Sequence, residues 1–137
     1  MLNIYLDIDG VLRGCASPKE DREALLRYIL DHCRPFWLTT HCKHGVNNAP
    51  LALSQEFAPE LVAELAQKVQ PTDWGSMKTE AIDFDQDFLW LDDTLFQVER
   101  MILRGHGAIQ NIIVMNPRNP LAAQRALQII KARVGEI

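Results

Sequence analysis

Short β-type apolar runs alternate with longer segments of helical periodicity along the whole chain, with no internal repeat, low-complexity run or Gly/Ser linker between them. Strands separated by helices imply a parallel sheet, because parallel neighbours need a crossover long enough to hold a helix. The candidate strands are Asn3 to Asp7, Phe36 to Thr39, a minimal one within Gln70 to Gly75, Phe88 to Leu91, and Asn111 to Met115. With right-handed crossovers, they predict an α/β fold: a three-layer, doubly wound (Rossmann-like) parallel sheet of about five strands in the order 3-2-1-4-5. The 137 residues, 47% of them hydrophobic, suit a single domain spanning 1–137.

The intervening segments carry helix signals. Ser17-Pro18 reads as N-cap and first helical residue, with Glu20 and Asp21 in the first turn and an apolar stripe through Leu25, Leu26, Ile29 and Leu30. Pro35 is expected to end that helix. Pro59 to Val69 presents Leu61, Val62, Leu65 and Ala66 on one face, and a short helix is predicted near Met77-Lys78 with Ser76 as its cap and Glu80 early in its first turn. Thr94 to Arg104, with Leu95, Val98, Met101 and Ile102 at helical spacing, is predicted to stop at Gly105; Pro120 to Val134 is the last helix.

Several classes are excluded on composition. The longest purely apolar stretches, such as Ile112 to Met115, fall far short of a membrane span, so no membrane partner is expected. The opening residues reach an acid at once and lack the regions of a signal peptide, which points to a soluble, cytoplasmic protein. Three cysteines, Cys15, Cys33 and Cys42, cannot all pair within one chain and are expected to be reduced. A formal net charge of −4, without basic-aromatic alternation, gives no indication of a nucleic-acid partner.

In a doubly wound sheet the carboxyl ends of the strands share one rim. That rim would gather Asp7-Ile8-Asp9-Gly10-Val11-Leu12 after the first strand, Phe36-Trp37-Leu38-Thr39-Thr40 at the second, Lys78 at a helix start, and Phe88-Leu89-Trp90-Leu91-Asp92-Asp93 at a later strand. In this order and context the four segments, spanning residues 3 to 93, resemble the motifs of the haloacid dehalogenase superfamily of phosphohydrolases and phosphotransferases. The chemistry explains the residue types: a carboxylate attacks an anionic phosphate ester only when cations offset the repulsion.

The resemblance implies a Mg²⁺-dependent phosphatase acting on a phosphomonoester. It makes Asp7 the nucleophile and a metal ligand, Asp9 the proton donor and then the base for hydrolysis, and also a residue of the metal site. Thr39, with Thr40 as second donor, and the Gly10 loop would bind the phosphoryl group, and Lys78 would hold nucleophile and phosphate in register. Lys43 competes with Lys78 for that role. Of the late pair, Asp93 is favoured as direct Mg²⁺ ligand and Asp92 as outer-shell acid, the reverse order staying open. Neither the short segment Gly10 to Ala16 nor the one before Lys78 has room for the cap domain that selects substrates in this family. An open cleft is therefore expected, covered at most by the His41 to Asn48 loop or by a second subunit of a homo-oligomer, and the resemblance leaves a small-molecule and a bulky macromolecular phosphate both open as substrate.

Other readings compete. A receiver-like phosphoacceptor module also uses Asp, Mg²⁺, Thr and Lys, but with its acid pair after the first strand and its Lys late, whereas here Lys78 precedes Asp92-Asp93. A non-catalytic binding protein with a vestigial site is the third reading, and the intact acids weigh against it. His41, Cys42 and His44, with Cys15, lack structural-zinc spacing. Asp83, Asp85 and Asp87 begin like a calcium loop, but Phe88 and Thr94 stand where Gly and Glu are needed. Trp37 and Trp90 are expected in the core; Trp74, beside Lys78, is read first as packing and second as a substrate contact.

Overall fold

The structure, a computed structural model, describes residues 1–135; the last two residues of the expected domain lie outside it. Its five strands are β1 (Asn3–Leu6), β2 (Arg34–Trp37), β3 (Gln70–Pro71), β4 (Phe88–Asp92) and β5 (Ile112–Val114). All neighbours are parallel, in the order β3-β2-β1-β4-β5. The helices are α1 (Lys19–His32), α2 (Ala49–Leu53), α3 (Pro59–Lys68), α4 (Gln97–Gly105) and α5 (Ala122–Val134). The predicted fold is thus the observed one.

Side chains alternate across a strand, so each strand feeds two cores. Ile4 and Leu6 of β1 and Leu89 and Leu91 of β4 face a larger core built with Leu25, Leu26 and Ile29 of α1, Leu61 and Leu65 of α3, and Ala126 and Ile130 of α5. Tyr5, Phe88 and Trp90 point the other way, into a smaller core with Leu38, Trp74, Ile82 and Leu103 of α4. The chain therefore leaves β1 for one face and β4 for the other, although β1 and β4 are neighbours. That reversal opens a crevice at their carboxyl ends, where ligands bind in open α/β sheets.

Several local expectations are corrected. α1 ends at His32, ahead of Pro35 as expected, but β2 runs Arg34–Trp37 instead of Phe36 to Thr39, so Pro35 lies buried inside the strand. The amides of Arg34 and Leu38 donate to Leu2 and Leu6 of the β1 side, so Pro35 faces the β3 side, where pairing begins only at Phe36. The donor that proline lacks is therefore not missed. Ser17 does not cap α1, whose N-cap is Pro18; its hydroxyl instead accepts from the amide of Ala123, 3.1 Å away, at the start of α5. Near Lys78 there is a single 3-10 turn, Lys78–Ala81. Glu80, rather than Ser76, satisfies the entering backbone, accepting from the amides of Gly75 (2.9 Å) and Met77 (3.2 Å).

α4 begins at Gln97, because the Asp92 carboxylate holds the Thr94 amide at 3.1 Å in a turn and Glu99 reaches back to the Phe96 amide at 3.0 Å. Its inward face carries Glu99 and Leu103, while Val98 and Met101, expected inside, are 53% and 61% exposed. The left-handed residue after it is Gly107 rather than Gly105. Asn111 belongs to a 3-10 turn ahead of β5, and α5 starts at Ala122 instead of Pro120. Among the described residues, no helix is long and apolar enough to cross a membrane.

Candidate functional site

Register builds the site. Leu6 pairs with Leu91, so the next residues, Asp7 and Asp92, emerge side by side, and the Asp7 amide is tied to the Leu91 carbonyl at 3.0 Å. Asp93 follows at once. One carboxylate oxygen from each of Asp7, Asp92 and Asp93 lies within 4.8 Å of the others, and Asp7 and Asp92 are buried. The Lys78 ammonium enters from the 3-10 turn, 2.7 Å from Asp92 Oδ2 and 3.4 Å from Asp7 Oδ1. Lys43, the competing lysine, instead stands over the Trp74 ring at 5.0 Å.

The electrostatics follow from three acids meeting one ammonium. Burial raises the pKa of Asp7 despite Lys78. Burial and then the charge of Asp7 raise Asp92, and burial and then the hydrogen bond and charge of Asp92 raise Asp93. Burial disfavours the Lys78 ammonium, but Asp7 and Asp92 outweigh it and hold its pKa above the ordinary value. An all-oxygen donor set of mutually repelling carboxylates fits a hard divalent cation such as Mg²⁺, which would relieve the repulsion that one lysine leaves.

Gly10 explains how Asp93 comes so close. It adopts φ +82°, a conformation favouring glycine, and a Cβ there would lie 2.6 Å from Asp93 Cγ. Its amide donates to the Arg13 carbonyl at 2.8 Å, closing a tight loop after β1. Gly10 therefore seats Asp93.

Asp9 is not brought to the triad. Its carboxylate, on a side chain 57% exposed, pairs with Arg13 Nε at 2.6 Å and His41 Nε2 at 2.9 Å. Burial is the largest single influence and pushes the acid up, but the hydrogen bonds and charges of Arg13 and His41 together outweigh it and hold its pKa below the ordinary value. Thr39 is fully buried, its hydroxyl accepting from the His41 amide at 3.4 Å, and of the Thr39-Thr40 pair it is Thr40 that lines the cleft. Thr39 also serves through its carbonyl, which receives the Trp74 indole N–H at 3.3 Å.

The cleft has a volume of about 520 Å³. Asp7, Asp92, Asp93 and Lys78 form its reactive end, joined by Thr40, Lys43 and Ser76, and Trp74 both packs and contributes to the lining. Sequence reasoning missed Met77, Thr94, Phe96, Val98 and Glu99, which complete it. Glu99 could have been found from its place three residues after Phe96, where a capping acid returns to the helix start. Residues 7–18 and 72–77, which lead from β1 to α1 and from β3 to the Lys78 turn, contain no inserted helix or strand of their own beyond a single bridge, Asp9 to Arg13. Cys42 is buried and bonded to Asn47, and Asp83 accepts from the Asp85 amide at 3.0 Å in a simple turn.

Compared with known proteins, the chain has no significant match to a family model, to a curated protein or to a solved structure.

Proposed function

We propose that this protein is a Mg²⁺-dependent phosphomonoester hydrolase that works through an aspartyl-phosphate on Asp7, in the manner of the haloacid dehalogenase superfamily. The observation that carries the reading is the three-carboxylate cluster with Lys78 between Asp7 and Asp92, at the crevice between β1 and β4. Asp7, Asp92 and Asp93 would hold Mg²⁺, whose chemistry is to offset the charge of the phosphoryl oxygens. The structure supports a ligand role for both Asp92 and Asp93, since each contributes an oxygen to the cluster.

An Asp7 oxygen attacks phosphorus, the bond to the ester oxygen breaks, and the alcohol leaves with a proton. Water, giving up a proton to Asp9, then attacks phosphorus, and the bond to Asp7 breaks, releasing phosphate and restoring the Asp7 carboxylate and the protonated Asp9. Lys78 orients Asp7 and neutralises the anionic centre. Asp9 is the proton donor of this reading, and it must turn out of its pairing with Arg13 and His41 to reach the leaving oxygen. Thr40 and the Thr39 loop supply donors at the mouth. The reading places the activity in the cytoplasm, on a phosphorylated substrate that is either a small molecule or a macromolecule.

Phosphate release from phenyl phosphate tests it. Wild type should require Mg²⁺, and Asp7→Asn should lose at least 10³-fold in kcat, on the order expected when a nucleophile is removed. Equal activity in the variant would overturn the nucleophile assignment. A long-lived phosphoprotein after treatment with acetyl phosphate, without turnover, would move the reading to a phosphoacceptor module.

A further inference from the structure

The cleft is chemically divided. Its reactive end is charged, with Asp7, Asp92, Asp93 and Lys78, whereas Met77, Phe96 and Val98 bring an apolar wall to the lining, beside the polar Thr40, Ser76 and Thr94. Phe96 and Val98 are 65% and 53% exposed, and both border the same space as the acids. Neither belongs to the core: the inward residues of α4 are Glu99 and Leu103. Their exposure is built into the backbone, because the Glu99 hydrogen bond to the Phe96 amide turns Glu99 inward at the helix start and leaves Phe96 and Val98 facing out.

Exposed apolar side chains cost free energy that a ligand can recover by covering them. A ligand anchored by an anionic group at Lys78 would extend along this wall, and a volume of about 520 Å³ accommodates a leaving group of moderate size. A polyhydroxylated leaving group such as a sugar would have to desolvate its hydroxyls against Met77, Phe96 and Val98, whose side chains offer no strong hydrogen-bond partner. An apolar one loses nothing there.

We propose that the wall of Met77, Phe96 and Val98 is a leaving-group subsite that selects phosphomonoesters of apolar alcohols over those of polyols. The inference rests on the hydrolase reading for its chemistry, but the subsite is a binding property and is testable without turnover. Phe96 and Val98 are its specificity-determining residues.

The test is calorimetric titration, with Mg²⁺ present, of non-hydrolysable n-alkylphosphonates from butyl to octyl. Kd should fall about twofold to fourfold per added methylene, the upper figure corresponding to full burial of each group. In Phe96→Ser/Val98→Ser, which alters only exposed side chains, the series should flatten toward a single Kd. A chain-length-independent Kd in wild type, an unchanged slope in the double variant, or no binding of any phosphonate would overturn the subsite. Parallel assays with butyl phosphate, octyl phosphate and glycerol phosphate separate it from the hydrolase reading. Turnover that ignores leaving-group polarity defeats the subsite alone; phosphonate binding with the expected slope, without turnover of any ester, defeats the hydrolase alone.

Discussion

At the scale of single residues, the site depends on a glycine as much as on its acids. Gly10→Ala places a methyl group against Asp93 and forces an L side chain into the left-handed region, a strain of about 1 to 2 kcal/mol. Because the displaced group is a cluster member, the variant should lose at least tenfold in Mg²⁺ affinity by calorimetry while remaining folded by circular dichroism. The acids also set a pH dependence. Asp7, Asp92 and Asp93 have folded pKa values raised above the ordinary 3.8, so the metal-free fold binds more protons than the unfolded chain over the window above that value. Stability of the metal-free protein should therefore fall as pH rises through this window. Asp93→Asn, which removes one charge and leaves both partners of Lys78 in place, should raise the metal-free Tm at pH 7; a lower Tm would contradict the repulsion. The gathering of Asp7, Lys78, Asp92 and Asp93 was legible because each ends a strand or opens a turn. The placement of Asp9 was not, because Arg13 and His41, which hold it, belong to no motif.

At the scale of elements, the order of the strands was read well, with β2 displaced by two residues, and the helix ends less so. Apolar runs such as Phe88 to Leu91 have few alternatives once both faces are covered, and the observed β4 extends that run by only one residue, Asp92. Helix starts depend on which partner a capping group finds, and that partner can be distant in sequence. Ser17 is the clearest case, reaching across 106 positions to the first turn of α5. Ser17→Ala should therefore cost about 1 kcal/mol of stability by chemical denaturation, through α5 rather than α1. The face of α4 was misread because Val98 and Met101 keep helical spacing with Leu95 and Ile102, so periodicity alone describes an apolar stripe without saying what covers it. Burial also decides thiol chemistry: Cys33 and Cys42 are buried and each pushed up to about 11, whereas Cys15 is partly exposed. Iodoacetamide at pH 8 should label Cys15 alone in the native protein, by peptide mass spectrometry.

At the scale of the whole molecule, one topological fact organises the rest. The order β3-β2-β1-β4-β5 sends the chain to opposite faces after β1 and β4, and the register between these strands sets Asp7 beside Asp92 at the opening. Shortness sharpens the consequence, since the links leading from β1 to α1 and from β3 to the Lys78 turn hold no extra element, and the apolar wall of the cleft is left to the start of α4. A ligand that binds only the folded state should stabilise it by mass action, so Mg²⁺ at a hundredfold its Kd should add about 2.7 kcal/mol. The central claim is that Asp7 carries the phosphoryl group. A single-turnover reaction with radiolabelled phenyl phosphate and Mg²⁺, quenched in acid and mapped by peptide, tests it most directly. The account predicts transient label on the peptide containing Asp7, absent from Asp7→Asn. Phosphate released at the wild-type rate with no labelled protein at any time would contradict it.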